Sequence, residues 1–326
     1  MMNLNYNALL FFNLKNMLLA EGVRNNNLDD LDIDILYHFG LATGFLNEDG
    51  EVESLLPQLR EMFGDVKYVC TGGSADRAEA FAMKAANELG IVLPEGAPQP
   101  IGKTERFSMY KVGPILSVNH GMGQPSLEIM LNEIAKLLHY AGCEGVTFLR
   151  IGTSGGVGVE GGTVVITEEG MNGELKPELV SIQLGKRKSY PTQSNVELVG
   201  ELAEVAKGID GINVAVGKTM SADGFYEEQG RLDGALAPDY DEADKMEFLQ
   251  RAHEAGVRNI EMEACRFAAF CLRAGIPAAI VCAALLNRLE GDQVKATVEQ
   301  LGEYSDNAQR VVIEWIRGKL KQLEAV

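Results

Sequence analysis

The amino-acid sequence predicts an α/β fold with a mixed β-sheet. From about residue 60 onward, short β-rich runs alternate with stretches whose apolar residues recur at helical spacing. Hairpin signals break that alternation, so some neighbouring strands must be antiparallel.

"DVKYVCTGG" (65–73) reads as the first strand of the series. The helix "SADRAEAFAMKAANELG" follows, with Ala78, Phe81, Ala82, Ala85, Ala86 and Leu89 on one face and Gly90 placed to stop it. "MYKVGPILSVNHG" (109–121) is a hairpin turning at Gly113-Pro114. In "SLEIMLNEIAKLLHYAG" (126–142) an apolar stripe runs from Leu127 to Ala141, with Ser126 placed as the cap and Gly142 as the stop. Strands are expected in "GVTFLRIGTSGG" (145–156) and "GTVVITEE" (162–169). "RNIEMEA", "CRFAAFCLRAG" and "PAAIVCAAL" then form a β-α-β unit. "AQRVVIEWIRGKLKQL" closes the chain as an amphipathic helix carrying the only tryptophan, Trp315. Residues 1–30 are Asn-rich and read as a flexible lead-in, and 31–326, with no repeat and no Pro- or Ser-rich linker, as one domain.

The 326 residues are 46% hydrophobic and 23% charged, a globular composition, with a formal net charge of −18. That charge argues against binding nucleic acid or an anionic membrane, since either needs a basic face. An anionic substrate must then meet a local cluster of arginines. Five cysteines lie in mostly apolar runs with no CxxC pair and no Cys/His ligand spacing, as expected of buried, reduced thiols in a cytoplasmic protein. The first residues lack a basic n-region, and Asn13, Lys15 and Asn16 interrupt their apolar run, so neither a signal peptide nor a membrane span is read there.

Three stretches carry candidate chemistry besides a decapeptide. "CTGGSADR" (70–77) runs from a strand into a helix start, where exposed N–H groups and the helix dipole favour an anion; an ordinary βα turn with a surface Arg77 fits the same residues. "LRIGTSGGVG" (149–158) sets Arg150 before a glycine loop with Thr153 and Ser154, which suits phosphate oxygens, and it is neither GxGxxG nor a P-loop. With Arg77, it makes a small phosphate site the better reading. In "NIEMEA" (259–264), strand alternation puts Glu261 and Glu263 on one face and Met262 opposite, for acid/base work, for sugar hydroxyls, or for a structural pair with Arg258 or Arg266. No metal-ligand spacing accompanies them. In "FYEEQGRLDG" (225–234), an extended backbone would point Gln229 and Arg231 to one side, toward a flat polar object. His139 and His253 read as surface residues, His120 as structural, and His38 as a packed ring between aromatics.

Taken in order, "DILYHFGL", "FGDVKYVCTGGSADR", "MYKVGPILSVNHGMGQPS", "RIGTSGGVG", "GTVVITE", "FYEEQGRLDGA", "GVRNIEME" and "LLNRLEGDQ" strongly resemble the uridine phosphorylases of the nucleoside phosphorylase-I superfamily in their eukaryotic form. The resemblance spans residues 34 to about 293. It implies a three-layer α/β/α fold and reversible phosphorolysis of uridine to uracil and ribose 1-phosphate, with no cofactor and with inorganic phosphate as co-substrate. By the same resemblance Gly73, Arg77, Arg150 and Thr153 hold phosphate together with an Arg106 from the neighbouring subunit of a homodimer. Met262 and Glu263 hold the ribose, helped by the neighbour's His38, while Phe225, Gln229 and Arg231 bind uracil. One departure is Glu228, where the family's vertebrate members have a small residue, and it bears on substrate breadth. The rival expectations are a silent nucleoside-binding homologue and a phosphorylase of shifted nucleoside specificity. A dehydrogenase would need a dinucleotide fingerprint that the chain lacks.

Overall fold

The computed structural model describes residues 25–28, 31–94, 96–102 and 104–324, so the expected lead-in over 1–30 falls almost wholly outside the described residues. A nine-stranded mixed sheet forms the middle layer. Its strands are β1 (Tyr68–Gly72), β2 (Pro100–Ile101), β3 (Met109–Val112), β4 (Ile115–Asn119), β5 (Thr147–Gly156), β6 (Val164–Met171), β7 (Val214–Ser221), β8 (Val257–Glu261) and β9 (Ala278–Asn287). Their order is β8-β7-β6-β9-β5-β1-β4-β3-β2. The helices are α1 (Leu56–Phe63), α2 (Ala75–Leu89), α3 (Gln124–Tyr140), α4 (Val196–Lys207), α5 (Glu242–Glu254), α6 (Ala264–Ala274) and α7 (Val298–Glu324).

Alternation along the strands builds two cores. Val69 and Phe148 face α3 and α6, whose Leu127, Ile134 and Phe267 complete one apolar layer. Tyr68, Cys70 and Leu149 face the other way, against Phe81 of α2, Leu202 of α4 and Val312 of α7. This is the expected three-layer α/β/α arrangement. On α2 and α3 the buried stripes match the expected positions. Gly90 takes the left-handed conformation (φ 69°) that ends α2, and β3 and β4 pair antiparallel through the Gly113-Pro114 turn. Trp315 packs edge-on against Tyr68 at 5.6 Å and donates to Glu201 Oε2 at 2.8 Å. All five cysteines are buried and free. No helix among the described residues is long and apolar enough to cross a membrane.

Four expectations need correction. Gly123, not Ser126, holds the cap position of α3: the helix already begins at Gln124, with Pro125 in its first turn, where a missing N–H costs nothing, so Ser126 lies inside the helix. The strand expected over 145–156 is present as β5, parallel to β9 from Phe148 to Gly156, so Thr153 and Ser154 sit on that strand and not in a glycine loop. β8, α6 and β9 follow one another, but β8 and β9 are not neighbours and run in opposite directions. His139 and His253 are half-buried, and His253 Nδ1 lies 3.3 Å from the Val157 carbonyl oxygen.

β5 decides where a ligand can sit. Its first half pairs with β1 as far as Arg150, and its last residues, Gly155 and Gly156, pair antiparallel with β8. Between Ile151 and Ser154 that edge of β5 meets no strand. The sheet divides there, and open α/β sheets bind ligands at such a switch point.

Candidate active site

The gap beside β5 is a cavity of about 240 Å³, and nine of the eleven site residues implied by the resemblance line it. Gly73 and Arg77 come from the β1–α2 junction. Arg150 and Thr153 come from β5, Phe225, Gln229 and Arg231 from the loop after β7, and Met262 and Glu263 from the turn between β8 and α6. Arg106 and His38 do not line it: Arg106 is exposed and His38 half-buried.

Arg77 occupies the first turn of α2, where the helix dipole disfavours a cation. Ser74 caps that helix, accepting from Arg77 N at 3.3 Å and from Arg77 Nε at 3.1 Å, which folds the side chain back over the helix start. Nη1 reaches Thr153 Oγ1 at 3.4 Å. Among the described residues no carboxylate pairs with this guanidinium. Burial, then the charge of Arg150, lowers its pKa. A cation held at such a place awaits an anion. A Cβ on Gly73 would stand 2.9 Å from Arg77 Nη2, so any side chain there would push the guanidinium from this position.

Arg150 is buried at 3% exposure and already engaged. Nη1 lies 2.8 Å from Glu261 Oε2, Nη2 pairs with Glu263 Oε2, and Nε has no hydrogen-bond partner. The carboxylate neighbours raise its pKa against the opposing effect of burial. Glu261 accepts the backbone N–H of Glu263 at 3.0 Å and of Ala264 at 2.9 Å, fixing the start of α6. Burial pushes its carboxyl up to about 7. Burial also opposes ionisation of Glu263, yet Arg150 and the Gly123 N–H (2.6 Å) prevail and hold it below its ordinary value. The structural partner of this pair is therefore Arg150, not Arg258 or Arg266. Because β8 ends at Glu261, strand alternation stops there and Met262 turns onto the same cavity as Glu263.

The decapeptide is not extended. Glu227–Gln229 form a 3₁₀ turn and Gly230 adopts φ 68°, so Gln229 and Arg231 reach the cavity by a turn rather than by strand alternation. Gln229 is 6% exposed, and its Nε2 donates to the Gly224 carbonyl at 3.3 Å. The Arg231 guanidinium lies 4.5 Å from the centre of the Phe225 ring, a cation–π stack that leaves its edge available. Glu228 is exposed, lies against Gly224 and is not part of the cavity wall.

His38 and Arg106 belong to a different surface. Glu133 holds His38 at both its backbone N (3.0 Å) and Nδ1 (2.6 Å). Thr104 donates to the His38 carbonyl, and Phe39 stacks on Phe107 at 5.4 Å, so the two stretches form one patch.

Sequence reasoning missed two cavity residues. His120 is 1% exposed, with both ring nitrogens unpartnered, and burial drives its pKa down to about 3. Arg288 is 1% exposed and donates from Nη2 to the Gln229 carbonyl at 2.6 Å. Each follows the carboxyl end of an apolar strand, β4 or β9, and that position was the available signal. Among the described residues no group of three or more His, Cys, Asp or Glu side chains is arranged to hold a metal ion.

A family model described as Phosphorylase superfamily matches residues 67–317. The chain belongs to the phosphorylase superfamily, among its eukaryotic-type uridine phosphorylases. It is 46% identical to the mouse protein named Uridine phosphorylase 1, over 91% of this chain and 92% of that one. To the Caenorhabditis elegans Uridine and thymidine phosphorylase it is 48% identical, over 87% of this chain and 90% of that one. A solved uridine phosphorylase structure from the oomycete Phytophthora capsici superimposes with a TM-score of 0.84 at 45% identity, covering 92% of this chain and 98% of the other. The whole cavity, from Gly73 to Val294, lies inside the matched span.

Proposed function

We propose that the chain is a pentosyltransferase catalysing reversible phosphorolysis of uridine, and of deoxyuridine, to uracil and the (deoxy)ribose 1-phosphate. One observation supports this reading most: a single cavity joins an unpaired cation with a hydroxyl (Arg77, Thr153), a buried carboxylate (Glu263) and an amide–guanidinium pair over an aromatic ring (Gln229, Arg231, Phe225). These are partners for an oxyanion, for vicinal hydroxyls and for a pyrimidine with two carbonyls and an N–H.

Phosphate sits against Arg77, Thr153, Gly73 and the unpartnered Arg150 Nε, with inorganic phosphate as co-substrate and no resident cofactor. Glu263 accepts from the ribose hydroxyls, and Met262 packs on the sugar. Gln229 Oε1 accepts from N3–H, while Gln229 Nε2 and Arg231 donate to the carbonyls. A phosphate oxygen attacks C1′ as the N1–C1′ bond breaks, and its electron pair passes into the base. Negative charge spreads onto the carbonyls that Gln229 and Arg231 hold. One such donor is worth about 2.7–4 kcal/mol. The proton that hydrogen phosphate gives up balances the one uracil N1 gains, so positioning rather than a strong base carries the rate.

We also read the chain as a cytoplasmic homodimer whose residues 31–326 form one domain. His38 and Arg106 share one surface patch away from their own cavity, as expected if each subunit supplies them to its neighbour's site. Glu133 on Nδ1 fixes the tautomer that leaves Nε2 an acceptor, suited to the ribose 5′-hydroxyl. The test is chromatographic detection of uracil from uridine with and without phosphate. Uracil released only with phosphate supports the reading. Binding without turnover supports the silent homologue, and faster turnover of inosine supports a shifted specificity.

A further inference from the structure

Behind the uracil-reading turn lies a buried line of charge that the reaction as described does not use. Arg288 Nη2 donates to the Gln229 carbonyl oxygen at 2.6 Å, and Nη1 reaches Gln229 Oε1 at 3.5 Å. On its other side Arg288 Nε lies 2.5 Å from Asp292 Oδ1. Asp292 Oδ2 in turn lies 2.7 Å from Lys245 Nζ of α5. The side chains of Arg288, Asp292 and Lys245 are 1%, 10% and 4% exposed. Gly155 makes room for the arginine stem, since a Cβ there would stand 2.9 Å from Arg288 Cδ.

An amide side chain can turn over, and the turn exchanges its donor with its acceptor. For Gln229 the protein specifies both ends: Arg288 approaches Oε1 and the Gly224 carbonyl accepts from Nε2. Turned over, the amide would set donor against donor at Arg288 and acceptor against acceptor at Gly224. The same turn would exchange the pattern that fits uracil N3–H for one that fits the bare N3 of cytosine. Arg288 is itself pushed by its neighbour Arg231, a like charge, and the carboxylate of Asp292 offsets that push. Lys245 keeps the carboxylate in place.

We propose that Asp292 and Lys245 are positioning residues which, through Arg288, lock the Gln229 amide in its uracil-reading orientation and so set the preference for a uracil over a cytosine ring. The inference rests on the uridine reading of the cavity. Neither residue lines the cavity: Asp292 acts through Arg288, and Lys245, which also pairs with Glu242 and lies beside Gly230, acts through Asp292.

The test compares wild type, Asp292→Asn, Asp292→Glu and Lys245→Met. Readouts are kcat and KM for uridine and for cytidine, the KM for phosphate, calorimetric binding of uracil and cytosine, and the thermal midpoint. In Asp292→Asn the uridine-to-cytidine ratio of kcat/KM should narrow by about tenfold or more while the phosphate KM stays within about twofold. Asp292→Glu should recover part of the ratio, and Lys245→Met should shift it in the same direction by less. An unchanged ratio, with both substrates and the thermal midpoint falling together, would show a merely structural pair and overturn the proposal. If Asp292→Asn does not fold, Lys245→Met decides by the same criterion. The base-binding measurement reads the same preference without turnover, so a wild type that binds uracil but leaves uridine intact defeats the enzymatic reading and still tests this one. A wild type that binds neither base, or both equally, overturns it.

Discussion

Replacing Gly152 by alanine adds one methyl group to the cavity wall beside the buried Arg150. Gly152 lies in β5 outside the positive-φ region, so alanine meets no backbone strain and its effect is steric. The new Cβ would stand 3.1 Å from Cys282 Sγ and 3.2 and 3.3 Å from Arg150 Nη1 and Nη2. Comfortable contact is about 3.5–4.0 Å, so the guanidinium must retreat by a few tenths of an ångström. It has nowhere to go, being pinned between Glu261 and Glu263 at 3% exposure. Overpacking of this kind costs about 1–3 kcal/mol of stability.

The kinetic cost follows from the displacement. If a shift of 1 Å costs about 100-fold, a few tenths should lower kcat/KM by about four- to tenfold. The loss should appear in phosphate titrations of uridine turnover and leave the choice between uridine and cytidine unchanged. Gly173→Ala is the control, since nothing lies within 4 Å of a Cβ at that exposed position. A folded Gly152→Ala enzyme with wild-type kcat/KM for phosphate would refute the placing of Arg150 at the anion.

Gln229→Leu should lower kcat/KM for uridine by about 100- to 1,000-fold with an intact fold, and near-normal turnover would contradict the uracil assignment. Arg106→Ala and Arg77→Ala should each be crippled alone, but mixed and allowed to exchange subunits should regain about a quarter of the sites, one per heterodimer; no rescue would place Arg106 outside the neighbour's site. His120 takes its proton in the unfolded chain near 6.5 but only at about 3 in the folded one. Between those values the unfolded state binds more protons, so stability falls as pH falls, by about 1.4 kcal/mol per unit. Glu261, raised to about 7, works with the opposite sign, so the comparison must be with His120→Asn, in which only the histidine contribution is lost. Parallel pH–stability curves for the two proteins, measured by urea unfolding, would contradict a buried neutral imidazole.

What was legible in the sequence was whatever depends on local pattern. The stripes of α2 and α3 and the turn at Gly113-Pro114 follow from spacing and turn chemistry alone. The site was legible only through its similarity to a family, because its parts come from segments up to 215 residues apart between Gly73 and Arg288. Local rules failed at the site itself. Alternation put Met262 opposite Glu263, but the strand stops at Glu261 because that carboxylate caps α6. Glycines in 152–156 suggested a loop at the end of the expected strand, yet they continue that strand because their neighbours are large: Gly152 makes way for Arg150 and Gly155 for Arg288. His120 looked structural because nothing in "NHG" reveals that two unpartnered nitrogens will face a wall of arginines.

Those glycines explain how an acidic chain keeps four arginines, Arg77, Arg150, Arg231 and Arg288, around one cavity. Buried charge survives only if each cation has a partner, a stack or a reason to lack both. Arg150 has two carboxylates, Arg288 has Asp292, and Arg231 has Asp233 at 3.5 Å and the face of Phe225. Arg77 has only two hydroxyls. Three of the four positive charges are thus compensated by the fold, and the remaining one is left for a ligand. Phosphate therefore enters a site whose other charges are already neutralised, and the acidic surface opposes it far less than the formal charge of −18 suggests, since charges beyond about 10 Å are screened at ordinary salt.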